Sequence, residues 1–303
     1  MRRILAFVLA LCCLSFSFAA EAGGKKRVYL CREGNAAPFS EGSETFDLYV
    51  CPLMGADCMA LRCGGKTMLV DMGKENDYDT IKAVLDGLGI GRIDIAFNTH
   101  PHTDHLGSMI RILADYPVDC FMTAFDDDYE AEEVVQKAAM KAVREAGVPV
   151  RRVEDGDVFY LGDAKLTVIR QTRYMYKTPN PNPFSAMLMV EYGSCRLLLC
   201  ADVVQSAQLY IAQTHDLKAD ILKWPHHGLN KVYRELWENA DPKYVFFTHG
   251  YMNTKEAQEQ AIKYGVPYDF ATWGVIHLSS DGNCWLVDQT LNEMGERCVK
   301  MYR

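Results

Sequence analysis

No extended run of lysines and arginines occurs in this sequence, and its 32 basic residues are outnumbered by 40 acidic ones, for a formal charge of −8. Non-specific coating of nucleic acid needs clustered cations to displace counterions from phosphates, so that class is disfavoured, although a small basic cleft on an acidic body stays open. C-x-x-C spacing is missing, which removes the zinc ribbon and the thioredoxin-type redox pair. No low-complexity tract, charge block or linker divides the chain, and Asn180-Pro181-Asn182-Pro183 is a rigid loop rather than a boundary. Past residue 18 no stretch stays apolar for the roughly 20 residues that a membrane-crossing helix requires. What is present is 303 residues, 49% hydrophobic and 24% charged, a globular balance that excludes disorder, collagen and coiled coil.

The N-terminus holds the one long apolar run. Arg2 and Arg3 precede Ile4 to Phe18, and Ala20-Glu21-Ala22 puts small residues where a signal peptidase cuts. We expect an export signal over residues 1–22 and a single mature domain over 23–303, secreted or extracytoplasmic, with no transmembrane segment in the mature chain. Nine of the eleven cysteines lie beyond that signal, so at least one stays unpaired whatever disulfides form. Cys51, Cys58, Cys63, Cys195 and Cys200 sit in strand-like apolar surroundings and read as small buried hydrophobes.

Strand-like and helix-like periods alternate along the rest. Phe46 to Pro52, Cys58 to Arg62 and Thr67 to Val70 read as strands, followed by a helix with Ile81, Val84, Leu85 and Leu88 on its apolar face and Gly89 beyond its end. A buried strand over Ile93 to Phe97 leads to helices near His105 to Asp115 and Asp128 to Ala146. Later strands are expected at Asp157 to Tyr160, Lys165 to Arg170, Met187 to Tyr192, Arg196 to Cys200, Asp220 to Trp224 and Tyr244 to Thr248. A helix over Thr254 to Tyr264 and a hairpin around Asp281-Gly282 close the pattern. Interspersed helices and strands favour a layered α/β plan.

Polar chemistry gathers at strand ends. His100-Pro101-His102-Thr103-Asp104-His105 places four ligand-capable side chains in six residues directly after a buried strand, and three of the chain's eight histidines fall here. In an extended turn His100 and His102 point one way, while Asp104 and His105 open the next helix and can face a second point. That geometry suits two neighbouring cations. Imidazole and carboxylate suit zinc first, with manganese or iron as alternatives.

His100-x-His102-x-Asp104-His105 resembles the signature of the metallo-β-lactamase fold hydrolases, with the rest of their motif order in register. Asp71, closing a strand before Met72-Gly73, is similar to the first motif, whose carboxylate supports the metal site from behind; Asp202, after Leu197 to Ala201, is similar to the bridging carboxylate. The resemblance implies a four-layer αββα sandwich of two mixed β-sheets flanked by helices. Trp224-Pro225-His226-His227-Gly228 resembles the Pro-His-His-Gly segment of the soluble domain of ComEC/Rec2-type competence proteins and of secreted phosphorylcholine esterases. Gly55 and Asp57 match part of that subgroup's Asp-Val-Gly-Gln-Gly-Asp segment, and Asn182 and Ser185 lie where it carries Asn and Ser. No histidine occurs from 106 to 214, whereas most other branches carry a ligand there, so the first metal's coordination is left incomplete.

The resemblance implies two divalent ions held by His100, His102, Asp104, His105, Asp202 and His227, with Asp104 and His226 as the candidate catalytic groups. Asp57, Asp71, Asn182 and His249 fall to the supporting ring or the substrate cleft, and Trp224, Trp273, Tyr174 and Tyr176 are candidate pocket walls, with simple packing as the alternative. His226 and His227 point apart, and His227 is favoured as the ligand with His226 facing the substrate. The expected function is an exported metal-dependent hydrolase, first a phosphodiesterase acting on nucleic acid or a phosphorylated envelope polymer without forming a stable nucleic-acid complex. A hydrolase of carboxylic bonds (lactone, thioester or β-lactam) and a non-catalytic metal-binding module are the alternatives.

Overall fold

The structure is a computed structural model that describes residues 18–21, 25–31, 44–127, 129, 133–171 and 180–302. Most of the expected signal over 1–22, together with Tyr174 and Tyr176, lies outside the described residues. In the first half β1 (Phe18–Glu21), β2 (Lys25–Cys31), β3 (Phe46–Val50), β4 (Met59–Cys63) and β5 (Lys66–Val70) precede α1 (Tyr78–Gly87). Then come β6 (Ile95–Asn98), α2 (Thr103–Leu106), α3 (Met109–Asp115), β7 (Phe121–Thr123), α4 (Glu133–Glu145) and β8 (Val150–Arg152). The second half begins with β9 (Val158–Leu161), β10 (Ala164–Ile169), β11 (Met187–Tyr192), β12 (Cys195–Leu199), α5 (Gln205–Thr214) and β13 (Ile221–Lys223). It continues with α6 (Arg234–Ala240), β14 (Tyr244–Phe247), α7 (Lys255–Lys263), β15 (Tyr268–Phe270), β16 (Gly274–Ser280), β17 (Cys284–Leu291) and α8 (Glu293–Tyr302).

These strands form two mixed sheets. One runs β1-β2-β17-β16-β3-β4-β5-β6-β7-β8 and the other β15-β14-β13-β12-β11-β10-β9. Alternation builds the packing: Phe46, Leu48 and Val50 of β3 turn inward to meet Leu188, Val190 and Leu197 of the facing sheet. Opposite residues of the same strands pack under helices. Leu69 and Ala96 lie with Ile81 and Leu85 of α1 and Ile112 of α3, and Leu198, Leu222 and Val245 lie with Ile211 of α5 and Leu236 of α6. Three apolar interfaces between four layers make the αββα sandwich that the sequence led us to expect. Strands β12, β13, β14 and β15 are mutually parallel, covered on both faces, and therefore read as continuous apolar runs such as Tyr244-Val245-Phe246-Phe247.

One expectation needs correcting. The helix anticipated from His105 to Asp115 is broken, because Ser108 (φ −85°, ψ 1°) leaves the helical region between α2 and α3. The break lets the chain pass close to the loop before α1: Gly107 N–H donates to Gly73 O at 2.8 Å, and a Cβ on Gly107 would lie 2.6 Å from Glu75 N. Only glycine fits that approach.

Cys31 and Cys284 face each other across the β2–β17 ladder and form a disulfide spanning 253 residues of sequence. Cys51, Cys58, Cys63, Cys195 and Cys200 are all buried, as expected of small hydrophobes. Closing so long a loop restricts the unfolded chain, so Cys31→Ser is expected to cost about 2–5 kcal/mol of stability. Thermal melts of wild type with and without reductant, beside the variant, check this; an unchanged midpoint would contradict it.

Candidate metal centre

The carboxyl ends of β5, β6, β12, β13 and β14 all open on one edge of the sandwich, the edge at which parallel α/β sheets present ligand sites. Asp71 follows β5, His100 to His105 follow β6, Asp202 follows β12, His226 and His227 follow β13, and Thr248 and His249 follow β14. Backbone bonds tie these loops together: Asp57 N to Asp104 O (3.1 Å), Gly73 N to Asp57 O (2.8 Å), Met72 N to His105 O (2.8 Å), His226 N to Ala201 O (3.0 Å) and Gly55 N to Thr248 O (2.9 Å). The side chains are therefore set on a cross-linked frame rather than on free loops.

Each buried imidazole has one nitrogen engaged from behind. His105 Nδ1 lies 2.7 Å from Asp71 Oδ2, and His227 Nδ1 lies 3.1 Å from Asp57 Oδ1 and 2.9 Å from Thr248 Oγ1. His100 Nδ1 reaches Thr99 Oγ1 at 3.0 Å, and that hydroxyl donates onward to Asp71 Oδ2 at 2.8 Å. Asp71 thus anchors two histidines, and it also accepts from Thr99 N at 2.8 Å. With the Nδ1 protons directed outward, the Nε2 lone pairs face inward. His105 Nε2 and His227 Nε2 are 3.3 Å apart, and Asp202 Oδ2 stands 3.3 and 3.2 Å from them. Three acceptors at that spacing repel one another unless a cation lies among them, so the residues fit a divalent metal.

The remaining ligand candidates border this point. Asp104 Oδ2 is 3.3 Å from His227 Nε2, His100 Nε2 is 3.9 Å from Asp202 Oδ2, and His102 Nδ1 is 3.1 Å from His100 Nε2. Asp57, His105, Asp202 and His227 each offer one donor atom, all within 4.8 Å of one another, and all four residues are buried.

Electrostatics follow from that crowding. Burial opposes a charge on His227, but Asp202 and Asp57 outweigh it and push its pKa up to about 10. His105 is likewise held well above the ordinary imidazole range against burial, by Asp202 and Asp71. For His100 burial dominates, reinforced by His105, and the ring is driven towards the neutral form. Burial also disfavours ionisation of Asp202, yet His227 and His105 hold its carboxyl well below the usual range. In the metal-free protein the raised His227 contributes stability that is fully present below its reference value of 6.5 and lost as pH rises through about 10. A metal must displace those protons, so its affinity is expected to rise with pH, about tenfold per unit for each proton released. Cobalt dissociation constants at three pH values between 6 and 9 check the slope; a flat profile would contradict it.

The adjacent histidines separate through their backbone. His226 (φ 50°, ψ 48°) and His227 (φ 55°, ψ 2°) both occupy the left-handed region, a conformation costing about 1–3 kcal/mol per non-glycine residue. The turn drives His227 into the cluster and leaves His226 at its rim, with Nδ1 3.1 Å from Asn230 Oδ1 and Nε2 3.4 Å from Asn182 Nδ2. Gly228 completes it at φ +96°, where a Cβ would meet the Phe247 ring at 2.5 Å. Asn182 is buried and its Oδ1 has no hydrogen-bond partner among the described residues. His249 is not one of the four clustered donors, but it lies near enough to His227 that burial and that neighbour lower its pKa; Gly250 N–H donates to its Nδ1 at 2.7 Å, and its ring packs against Gly55.

Lys223 escaped the sequence reading. Its side chain is fully buried, its Nζ contacts Asp57 Oδ2, donates to Ala201 O at 3.0 Å and lies 3.6 Å from Asp202 Oδ1. The available signal was a lysine ending an otherwise apolar strand directly before Trp224-Pro225-His226-His227. Thr99 and Thr248, which orient His100 and His227, gave no comparable signal.

The chain is similar to several known proteins. ComE operon protein 3 of Bacillus subtilis (strain 168) is 26% identical over 185 residues, which is 59% of this chain and 23% of that protein; the chain therefore spans about a quarter of its relative's length. The metallo-beta-lactamase fold protein YhfI of Bacillus subtilis superposes with a TM-score of 0.50 at 11% identity, covering 74% of this chain and 96% of that one. CmlA, a diiron beta-hydroxylase from Streptomyces venezuelae, gives a TM-score of 0.47 at 13% identity over 77% of this chain and 53% of its own. The family profile of the metallo-beta-lactamase superfamily matches residues 52–249, from the loop carrying Asp57 to His249, and the chain belongs to that superfamily.

Proposed function

We propose that the protein is an exported metal-dependent hydrolase of phosphodiesters, with nucleic acid or a phosphorylated envelope polymer as substrate. The observation that carries this reading is the division of labour between neighbouring histidines, one turned into the donor cluster and the other held at its rim beside a buried amide. Asp104, His105 and His227 would hold one ion, His100 and His102 the other, with Asp202 between them, and zinc, manganese or iron all suit these donors. Bound divalent cations supply a lowered pKa for coordinated water and a sink for the negative charge of an attacked phosphorus centre.

The protein's own groups do the rest. His226, outside the donor cluster and paired with Asn230 and Asn182, is placed to steady phosphoryl charge or pass a proton to the leaving oxygen. Asn182 Oδ1, without a partner among the described residues, would offer an acceptor to a hydroxyl or amino group of the substrate. Asp71 and Asp57 keep the histidine nitrogens aimed. The resemblance of Pro225-His226-His227-Gly228 to the segment of ComEC/Rec2-type competence proteins supports the phosphodiester reading. Among the described residues no helix is long and apolar enough to cross a membrane.

Hydrolysis of bis(p-nitrophenyl) phosphate, nitrocefin and a thioester, each with and without Zn²⁺ or Mn²⁺, tests the reading. Metal-dependent turnover of the phosphodiester is expected. Turnover of nitrocefin or the thioester alone would replace it with a carboxylic-bond hydrolase, and silence on all three with metal bound would leave a binding module. N-terminal sequencing of the exported protein tests the signal, with cleavage expected after residue 22.

A further inference from the structure

Asp57 has two possible fates beside a metal. Its carboxylate is buried and close enough to the donor cluster to join it as a ligand, yet its Oδ1 faces His227 Nδ1 at 3.1 Å, the position of a supporting group. A carboxylate free to rotate would be drawn to a divalent cation a few ångströms away. What prevents rotation is on the other oxygen, where Lys223 Nζ sits in direct contact.

Alternation along β13 explains how a lysine reaches this point. Ile221 packs in the core between the sheets and Leu222 under the helices, so Lys223 returns to the inter-sheet face at the strand's end. An ammonium has three donor directions, and three oxygens surround this one: Asp57 Oδ2, Ala201 O at 3.0 Å and Asp202 Oδ1 at 3.6 Å. The arrangement sorts two carboxylates. Its charge lies against the rear oxygens, in ion-pair contact with Asp57 Oδ2 and 3.6 Å from Asp202 Oδ1, and neither oxygen has a hydrogen-bond partner among the described residues, while Asp202 Oδ2 faces the centre and Asp57 Oδ1 faces His227. Packing alone gives no reason for a lysine, since a buried ion pair can often be replaced by an apolar side chain without loss of stability.

We propose that Lys223 is a positioning residue that pins Asp57 outside the metal's coordination shell, so that Asp57 supports His227 and one coordination position stays open for substrate. The inference rests on the metal reading of the site, and it holds whichever bond the enzyme cleaves. Removing the ammonium releases Asp57 into the shell, where it closes the open position.

Visible absorption of the cobalt-substituted protein reports ligand number and geometry directly, and a lysine with a merely structural role would not alter it. Lys223→Met is expected to change the cobalt spectrum and to lower turnover about 100-fold, the upper range for loss of a group behind a metal ligand. Adding Asp57→Asn to that variant restores the wild-type spectrum, because a neutral amide is a poor ligand. Asp57→Asn alone leaves the spectrum unchanged while weakening cobalt binding about 10–100-fold, and it decides the matter if circular dichroism shows Lys223→Met unfolded. An unaltered spectrum in folded Lys223→Met, or a spectrum altered by Asp57→Asn alone, overturns the proposal. Wild-type protein that takes up no cobalt overturns the metal reading together with it, whereas cobalt uptake without phosphodiester hydrolysis overturns the substrate reading only.

Discussion

Asp202→Ala is expected to lose bound metal and to reduce hydrolysis by about a thousandfold or more, the scale on which deleting a central charge-stabilising group lowers turnover. Asp202 is 1% exposed and is the group that both sides of the cluster share: His105 Nε2 and His227 Nε2 within 3.3 Å, His100 Nε2 at 3.9 Å and Lys223 Nζ behind it. On the proposed metal reading its removal takes away the one carboxylate that would serve both ions, and it leaves Lys223 with a partner missing. Because a large destabilisation would also abolish activity, the variant's melting temperature and metal content are measured together. Full turnover in a metal-free, folded variant would contradict the bridging role.

The second large effect separates the two adjacent histidines. His227→Ala is expected to abolish metal retention, since it deletes the nitrogen that meets both Asp104 (3.3 Å) and Asp202 (3.2 Å) and strands Asp57 behind it. His226→Ala keeps the metal and lowers turnover about 100- to 10,000-fold, the usual contribution of a general acid or base. Metal analysis on both variants, alongside turnover, checks the assignment. Metal loss in His226→Ala with retention in His227→Ala would reverse the roles.

Much of this arrangement was legible because strand ends are. Thr67 to Val70, Leu197 to Cys200 and Tyr244 to Phe247 are largely apolar runs that give way to polar residues, and in a sheet covered on both faces such a stop marks the edge where ligands gather. The ordering of Asp71, His100 to His105, Asp202 and His227 along the chain matched a resemblance that could be named. Three things were not legible. Gln205–Thr214 folds as α5 with Ala207 and Ile211 buried, but Leu209 to Ala212 form one continuous apolar block rather than a stripe at helical spacing, so the sequence does not announce a helix. The Cys31–Cys284 disulfide pairs residues 253 positions apart in an odd set of cysteines, so no spacing identifies it. Lys223 gave no sign of a role, because a buried charge declares itself only once Asp57 and Asp202 are seen beside it.

The central claim is that a divalent cation lies among His105 Nε2, His227 Nε2 and Asp202 Oδ2. Anomalous diffraction recorded at the metal edge from crystals grown with zinc or manganese tests it most directly. The account predicts a peak bonded to those three atoms, with Asp57 held against Lys223 and outside bonding distance. A protein that crystallises with metal only at its surface, or with these side chains bridged by protons alone at saturating metal, would contradict it.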